Sequence, residues 1–178
     1  MLSSRYPESK MKDLAKQARA LWSSRDFRMM SLSIILSTFF IDQITKYFSY
    51  KIYYHKVNAF FNIVFSRNYG MTFGFFQCYG CLVHKLIFVF IFIVFLFAVS
   101  LLIRARTKHE TIAYSMIVGG AIGNIMDRIS YGYVVDFLQF HYMHWYYPVF
   151  NMADTFIVMG IGSLILFQLK SGSLLKNP

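Results

Sequence analysis

Leu86-Ile-Phe-Val-Phe-Ile-Phe-Ile-Val-Phe-Leu-Phe-Ala-Val-Ser-Leu-Leu-Ile103 runs for 18 residues without a single charge. A helix of that length is close to the roughly 20 residues needed to cross about 30 Å of hydrocarbon. Outward from it, three further apolar stretches appear. One covers about 29–48 and carries Asp42 and Lys46 in its last turns. The next covers about 111–129 and is uncharged until Asp127 and Arg128. The last, about 149–169, holds one charge, Asp154, in its first turns. With the run at 86–103 extended back to Leu82, the sequence predicts an α-helical membrane protein with transmembrane helices over 29–48, 82–103, 111–129 and 149–169.

Composition agrees. The hydrophobic fraction is 57% and the mean hydropathy +0.46, well above a soluble average. Aromatics reach 20%, which suits helices in lipid with rings at the interfaces. The net charge of +10 would fit nucleic acid, but its placement points elsewhere. Arg5, Lys10, Lys12, Lys16, Arg19, Arg25 and Arg28 crowd the start, Arg104, Arg106 and Lys108 share a short loop, and Lys170 and Lys176 close the chain. Four alternating spans put these clusters on one side, which the positive-inside rule makes the cytoplasm.

Three parts follow: a basic cytoplasmic extension over 1–28, a membrane domain over 29–170 and a cytoplasmic tail over 171–178. The first apolar run lacks a small-residue cleavage site and is kept as a helix. Segments 49–81 and 130–148 then face outward. The former alternates aromatic and polar residues around the turn signal Asn68-Tyr69-Gly70, predicting a small β-rich sheet on the membrane surface. The latter is expected to be an aromatic loop or short helix.

The chain has only eight acids, and Asp42, Asp127, Asp136 and Asp154 lie in or beside spans. Ionisable groups at that depth are costly and mark function by default. The predicted topology gathers all four at the outer face. Asp42 and Lys46 are spaced to pair along one helix face, and Asp127 adjoins the positive charge of Arg128, so both acids read as structural. Asp136 and Asp154 differ: from Ile129 to Leu169 there is no Lys or Arg, and they are the only acids there. Two carboxylates close together in a low-dielectric site share a proton. The ionised one then activates water while the protonated one polarises a carbonyl, which is aspartyl protease chemistry and requires no metal. Membrane carboxylates also serve proton relays, so a small proton-coupled transporter fits the same residues, although no internal repeat is evident.

Other features read more plainly. Gly119, Gly123, Gly160 and Gly162 suit close helix packing. His141 and His144 have a spacing that would suit a metal, yet Asp136 is the only local acid, and interface residues are expected instead. Cys78-Tyr79-Gly80-Cys81 resembles the pair of a membrane disulfide oxidoreductase, a role that would leave the four acids unexplained.

Ordered boxes between about 36 and 167 resemble the lipoprotein signal peptidase family, also called signal peptidase II. They are Asp42-Gln-Ile-Thr-Lys46, Asn68-Tyr-Gly70-Met-Thr-Phe73-Gly74, Gly119-Gly-Ala-Ile-Gly-Asn124-Ile-Met-Asp127-Arg128, Gly132-Tyr-Val-Val-Asp136-Phe137 and Phe150-Asn151-Met-Ala153-Asp154. The resemblance implies Asp136 and Asp154 as the catalytic pair, supported by Asp42, Lys46, Asn68, Gly70, Asn124, Asp127, Arg128 and Asn151. It further implies cleavage of a prolipoprotein signal peptide just before a cysteine carrying diacylglycerol. The expected partners are such precursors and membrane lipid, with no cofactor, no metal and no nucleic acid. The expected protein is a monomer of the bacterial inner membrane, with both termini cytoplasmic and the active site near the outer face.

Overall fold

The computed structural model describes residues 25–70 and 82–174, together with Lys10, Lys12, Asp13 and Lys16. Most of the basic extension, the Phe73-Gly74 end of one box, the Cys78/Cys81 pair and the end of the tail lie outside the described residues. Among the described residues four long helices carry the fold: α1 (Arg25–Ile52), α2 (Leu82–Ile103), α3 (Lys108–Tyr131) and α4 (Met152–Leu174). Three of them, α1, α2 and α4, are long and apolar enough to cross a membrane. At 1.5 Å per residue the 24 residues of α3 reach about 36 Å. Its apolarity is diluted by Gly119, Gly120, Gly123, Asn124, Asp127 and Arg128, the residues that face its neighbours.

The ends of α3 are written locally. Thr107 caps its start by accepting the Glu110 N–H, while the Glu110 carboxylate reaches back to the Thr107 N–H. This reciprocal box satisfies two donors that a helix start otherwise leaves free. At the other end Gly132 adopts a left-handed φ of 77° and closes the last turn on the Arg128 carbonyl.

Helix α3 packs against each of the other three. Small residues permit this approach. A side chain at Gly119 would collide with Thr38 of α1, and one at Gly123 would collide with the Asp42 carboxylate. A Cβ at Gly120 would stand 2.6 Å from the Ala153 carbonyl, and one at Gly160 2.7 Å from that of Ala113. Of the four glycines expected to pack closely, the expectation fails at Gly162, where nothing among the described residues lies within 4 Å of the Cβ position.

The bundle is polar within and apolar without. Its buried groups include Ser31, Asp42, Lys46, Ser115, Asn124, Asp127 and Asn151, whereas Phe97 is 63% and Leu166 69% exposed. Lipid-facing apolar side chains and inward-turned polar ones are what a hydrocarbon solvent demands.

A four-stranded antiparallel sheet sits at one end, in the order β1 (Tyr54–Lys56), β2 (Phe61–Asn68), β3 (Val134–Tyr142), β4 (Trp145–Tyr146). The sheet expected within 49–81 is therefore larger than foreseen: it draws in most of 130–148, expected as a loop or short helix. The reason is tertiary. Strand β3 finds its partner in β2, far away along the chain, and Phe150 adds a bridge to Leu138. Strand β2 carries one extra residue between Ile63 and Ser66, a bulge that resets the register so that Ser66 faces Asp136. Asn68 follows Ser66 by two residues and so shares its face.

Candidate active site

Each acid is delivered by a different kind of element. Asp136 comes from β3, where the register sets it beside Asn68, whose amide donates to Asp136 Oδ2 at 2.9 Å. Asn68 is itself oriented by its turn: its Oδ1 accepts the Gly70 N–H at 3.0 Å. Asp154 sits in the first turn of α4. Asn151 caps that helix by accepting the Asp154 N–H at 2.9 Å, and Asp154 Oδ2 accepts the Asn151 N–H at 3.3 Å. The box Asn151-Met-Ala-Asp154 is thus a helix cap as well as a site.

Two asparagines connect the acids. Asn151 Nδ2 donates to Asp136 Oδ1 at 2.7 Å and to Asn124 Oδ1 at 3.0 Å. Asn124 Nδ2 donates to Asp154 Oδ1 at 2.9 Å. All four carboxylate oxygens of Asp136 and Asp154 therefore accept an N–H. Asp136 is 2% exposed. Burial, reinforced by the charge of Asp154, pushes its carboxyl up to about 7 against the bonds from Asn68 and Asn151.

Behind this pair lies a charged layer. Lys46 sits 2.7 Å from Asp42, 2.9 Å from Asp127 and 3.0 Å from Asn124 Oδ1, and all four side chains are buried. Asp42 Oδ1 also accepts the Ala153 N–H at 2.9 Å, and Asp127 Oδ2 the Val135 N–H at 3.0 Å. These bonds pin the start of α4 and the start of β3 to helices α1 and α3.

The structure brings together all ten residues expected at the site, with two corrections. The neighbouring Arg128 was expected to supply positive charge to Asp127; Lys46 makes that ion pair instead. Adjacent helical residues point about 100° apart, and Arg128 turns to the carbonyls of Asn124 at 3.2 Å and Gly70 at 3.0 Å. Secondly, the cation-free interval around Asp136 and Asp154 is a property of the chain and not of the space. Lys46 lies close enough to act on both acids, and Arg128 on Asp154.

One residue was missed. Gln43 Nε2 reaches Asp42 Oδ2 at 3.2 Å, Asp127 Oδ1 at 3.1 Å and the Gly123 carbonyl at 3.4 Å. Its signal was an amide in an apolar span, inside a box already marked by Asp42 and Lys46. His141, weighed with His144 for a metal, stacks on Tyr146 at 5.5 Å.

Two apolar clefts meet at Asp154. One, of about 230 Å³, lies among α2, α3 and α4, is lined by Phe90, Val94, Ala121 and Ile157, and ends on Asn124, Arg128 and Asp154. The other, of about 560 Å³, lies between the start of α4 and the β3–β4 hairpin, walled by Trp145, Tyr147, Phe150, Val158 and Met159.

Fold and family match together define a membrane hydrolase of the aspartic peptidase class. The family described as signal peptidase (SPase) II matches residues 34–170, and the chain belongs to that family. It is 38% identical over 146 residues to the lipoprotein signal peptidase of Actinobacillus succinogenes, covering 78% of this chain and 89% of that one. It is also 38% identical over 160 residues to the lipoprotein signal peptidase of Haemophilus ducreyi, covering 86% and 93%. A structure described as a bacterial membrane enzyme, obtained by the in meso method at 2.3 Å resolution, superposes with a TM-score of 0.71. Their identity is 28%, over 84% of this chain and 93% of that one.

Proposed function

We propose that this protein is an endopeptidase of the bacterial inner membrane that removes the signal peptide from prolipoproteins, cutting just before a cysteine that carries diacylglycerol. The observation that carries the reading is the acid pair: Asp136 and Asp154 are bridged by Asn151 and Asn124, and Asp154 lines both apolar clefts.

Burial pushes Asp136 up to about 7, so a proton is available to the pair near neutral pH. The ionised carboxylate takes a proton from water, whose oxygen forms a bond to the scissile carbonyl carbon. The protonated carboxyl gives its proton to the carbonyl oxygen. When the tetrahedral intermediate collapses, the C–N bond breaks and the cysteine nitrogen leaves with a proton from the pair. The substrate's apolar helix and its acyl chains occupy the two clefts, so both parts of the substrate reach Asp154 without leaving an apolar environment.

Four spans carry the site. Helix α3 is the fourth, its polar residues tolerated because they turn into the bundle. Basic residues near Arg25 and around Arg104–Lys108 support a cytoplasmic position for those ends, with the sheet outside. The protein works as a monomer in contact with lipid. Disulfide oxidoreduction through Cys78/Cys81 and proton-coupled transport are not favoured by the family to which the chain belongs.

The test is cleavage of a lipid-modified precursor by purified protein. Asp136→Asn and Asp154→Asn should each abolish cleavage while still accumulating in the membrane, and Cys78→Ser should have little effect. Retained cleavage by either Asp variant overturns the assignment of the pair.

A further inference from the structure

We propose that Lys46 is a positioning residue whose ammonium sets the direction of the amide hydrogen bonds reaching both Asp136 and Asp154. This rests on the reading of those two acids as the reacting pair. An ammonium has three N–H groups and no acceptor. Three oxygens take them: Asp42 Oδ2 at 2.7 Å, Asp127 Oδ2 at 2.9 Å and Asn124 Oδ1 at 3.0 Å. A carboxylate accepts whichever way it is turned. An amide does not, because one end accepts and the other donates.

With the oxygen of Asn124 committed to Lys46, its nitrogen must face Asp154, and it does so at 2.9 Å. The same oxygen takes Asn151 Nδ2 at 3.0 Å. That choice turns the Asn151 oxygen away, to the Asp154 N–H at 2.9 Å, and aims its nitrogen at Asp136 Oδ1 at 2.7 Å. Reversing either amide would set an amide oxygen against a carboxylate, tolerable only if the shared proton were trapped on that acid. Gly70 plays the equivalent part for Asn68, but only on the outer side of Asp136.

The ammonium cannot swing away. Lys46 is 4% exposed, Asp42 is tied to the Ala153 N–H and Asp127 to the Val135 N–H. Gln43 lies across both acids from a further side. The clamp therefore transmits its direction through Asn124, which among the described residues is the only ammonium partner that also touches a reacting acid.

The experiment is a double-mutant cycle on the full chain in lipid, with Lys46→Met and Asn124→Ala made singly and together. Each single variant should lower kcat about 100-fold, the usual loss when one preorganised donor is removed. KM should stay within about threefold, since substrate binding is not what changes. The double variant should be no slower than the slower single, because Lys46 acts through Asn124. A double variant that loses the product of the two single losses overturns the proposal. If Lys46→Met does not accumulate folded, Lys46→Gln enters the same cycle, and an effect that persists undiminished in the Asn124→Ala background has the same force. The two failures are distinguishable: if the acid pair is misassigned, Asp154→Asn still cleaves. If only the role of Lys46 is wrong, Asp154→Asn is inactive and the cycle is additive.

Discussion

Asn151 and Asp154 hold each other at the start of α4, the Asp154 N–H donating to Asn151 Oδ1 at 2.9 Å and the Asn151 N–H to Asp154 Oδ2 at 3.3 Å. One motif both starts a helix and aims an acid.

Capping and site therefore separate by substitution. A serine at 151 keeps a cap oxygen but loses the nitrogen that reaches Asp136 and Asn124. Asn151→Ser should cost no more than about 1–2 kcal/mol of stability, the scale of a cap and one buried bond. Cleavage should fall by about 100-fold or more. Thermal unfolding and a precursor-cleavage assay on the same preparation check the two halves.

The pH dependence follows from Asp136. Its folded carboxyl titrates at about 7, above the ordinary value of 3.8. The native state thus binds this proton more tightly than the unfolded state does. The contribution to stability is full below 3.8 and is lost as pH rises through about 7. Activity should fall over the same upper range as the pair loses its shared proton. Asn68→Ala, which removes a bond favouring the ionised form, should move that limb to higher pH. A kcat/KM profile flat to pH 9 would contradict this.

The glycines divide by what they touch. Gly123→Ala drives a methyl into the Asp42 carboxylate and should destabilise by about 1–3 kcal/mol. Gly162→Ala meets nothing within 4 Å among the described residues and should be neutral or stabilising by up to about 1 kcal/mol. Paired melting curves in one detergent decide the matter.

Gln43 offers a test of the charged layer. Gln43→Ala removes a donor from two buried carboxylates and should cost about 1–3 kcal/mol. Gln43→Glu should be worse, because it sets a third carboxylate between Asp42 and Asp127 with Lys46 as their shared cation. Equal Tm values for the two variants would show that charge at this position is of no consequence.

Much of the fold was legible because its signals are local. An uncharged apolar run is a helix in lipid wherever it sits. The four acids stood out by cost alone. The β3 strand was not legible, since 134–142 becomes a strand only by pairing with β2 and bridging to Phe150. Gln43 was passed over because an amide carries no charge and its two partners belong to different helices.

The chain by itself determined the apolar helices, the acids worth suspecting and the boxes that tie Asp136 and Asp154 to a family. Those properties reside in residue type and short spacing. Only the tertiary structure decided which cation serves which acid. Asp127 was adjacent to Arg128 in sequence yet pairs with Lys46, which lies on another helix. A helix turns its neighbours apart, whereas packing through Gly119 and Gly123 brings distant side chains within 3 Å. The same packing sets Lys46 behind Asn124, and so gives direction to the bonds that reach the acid pair.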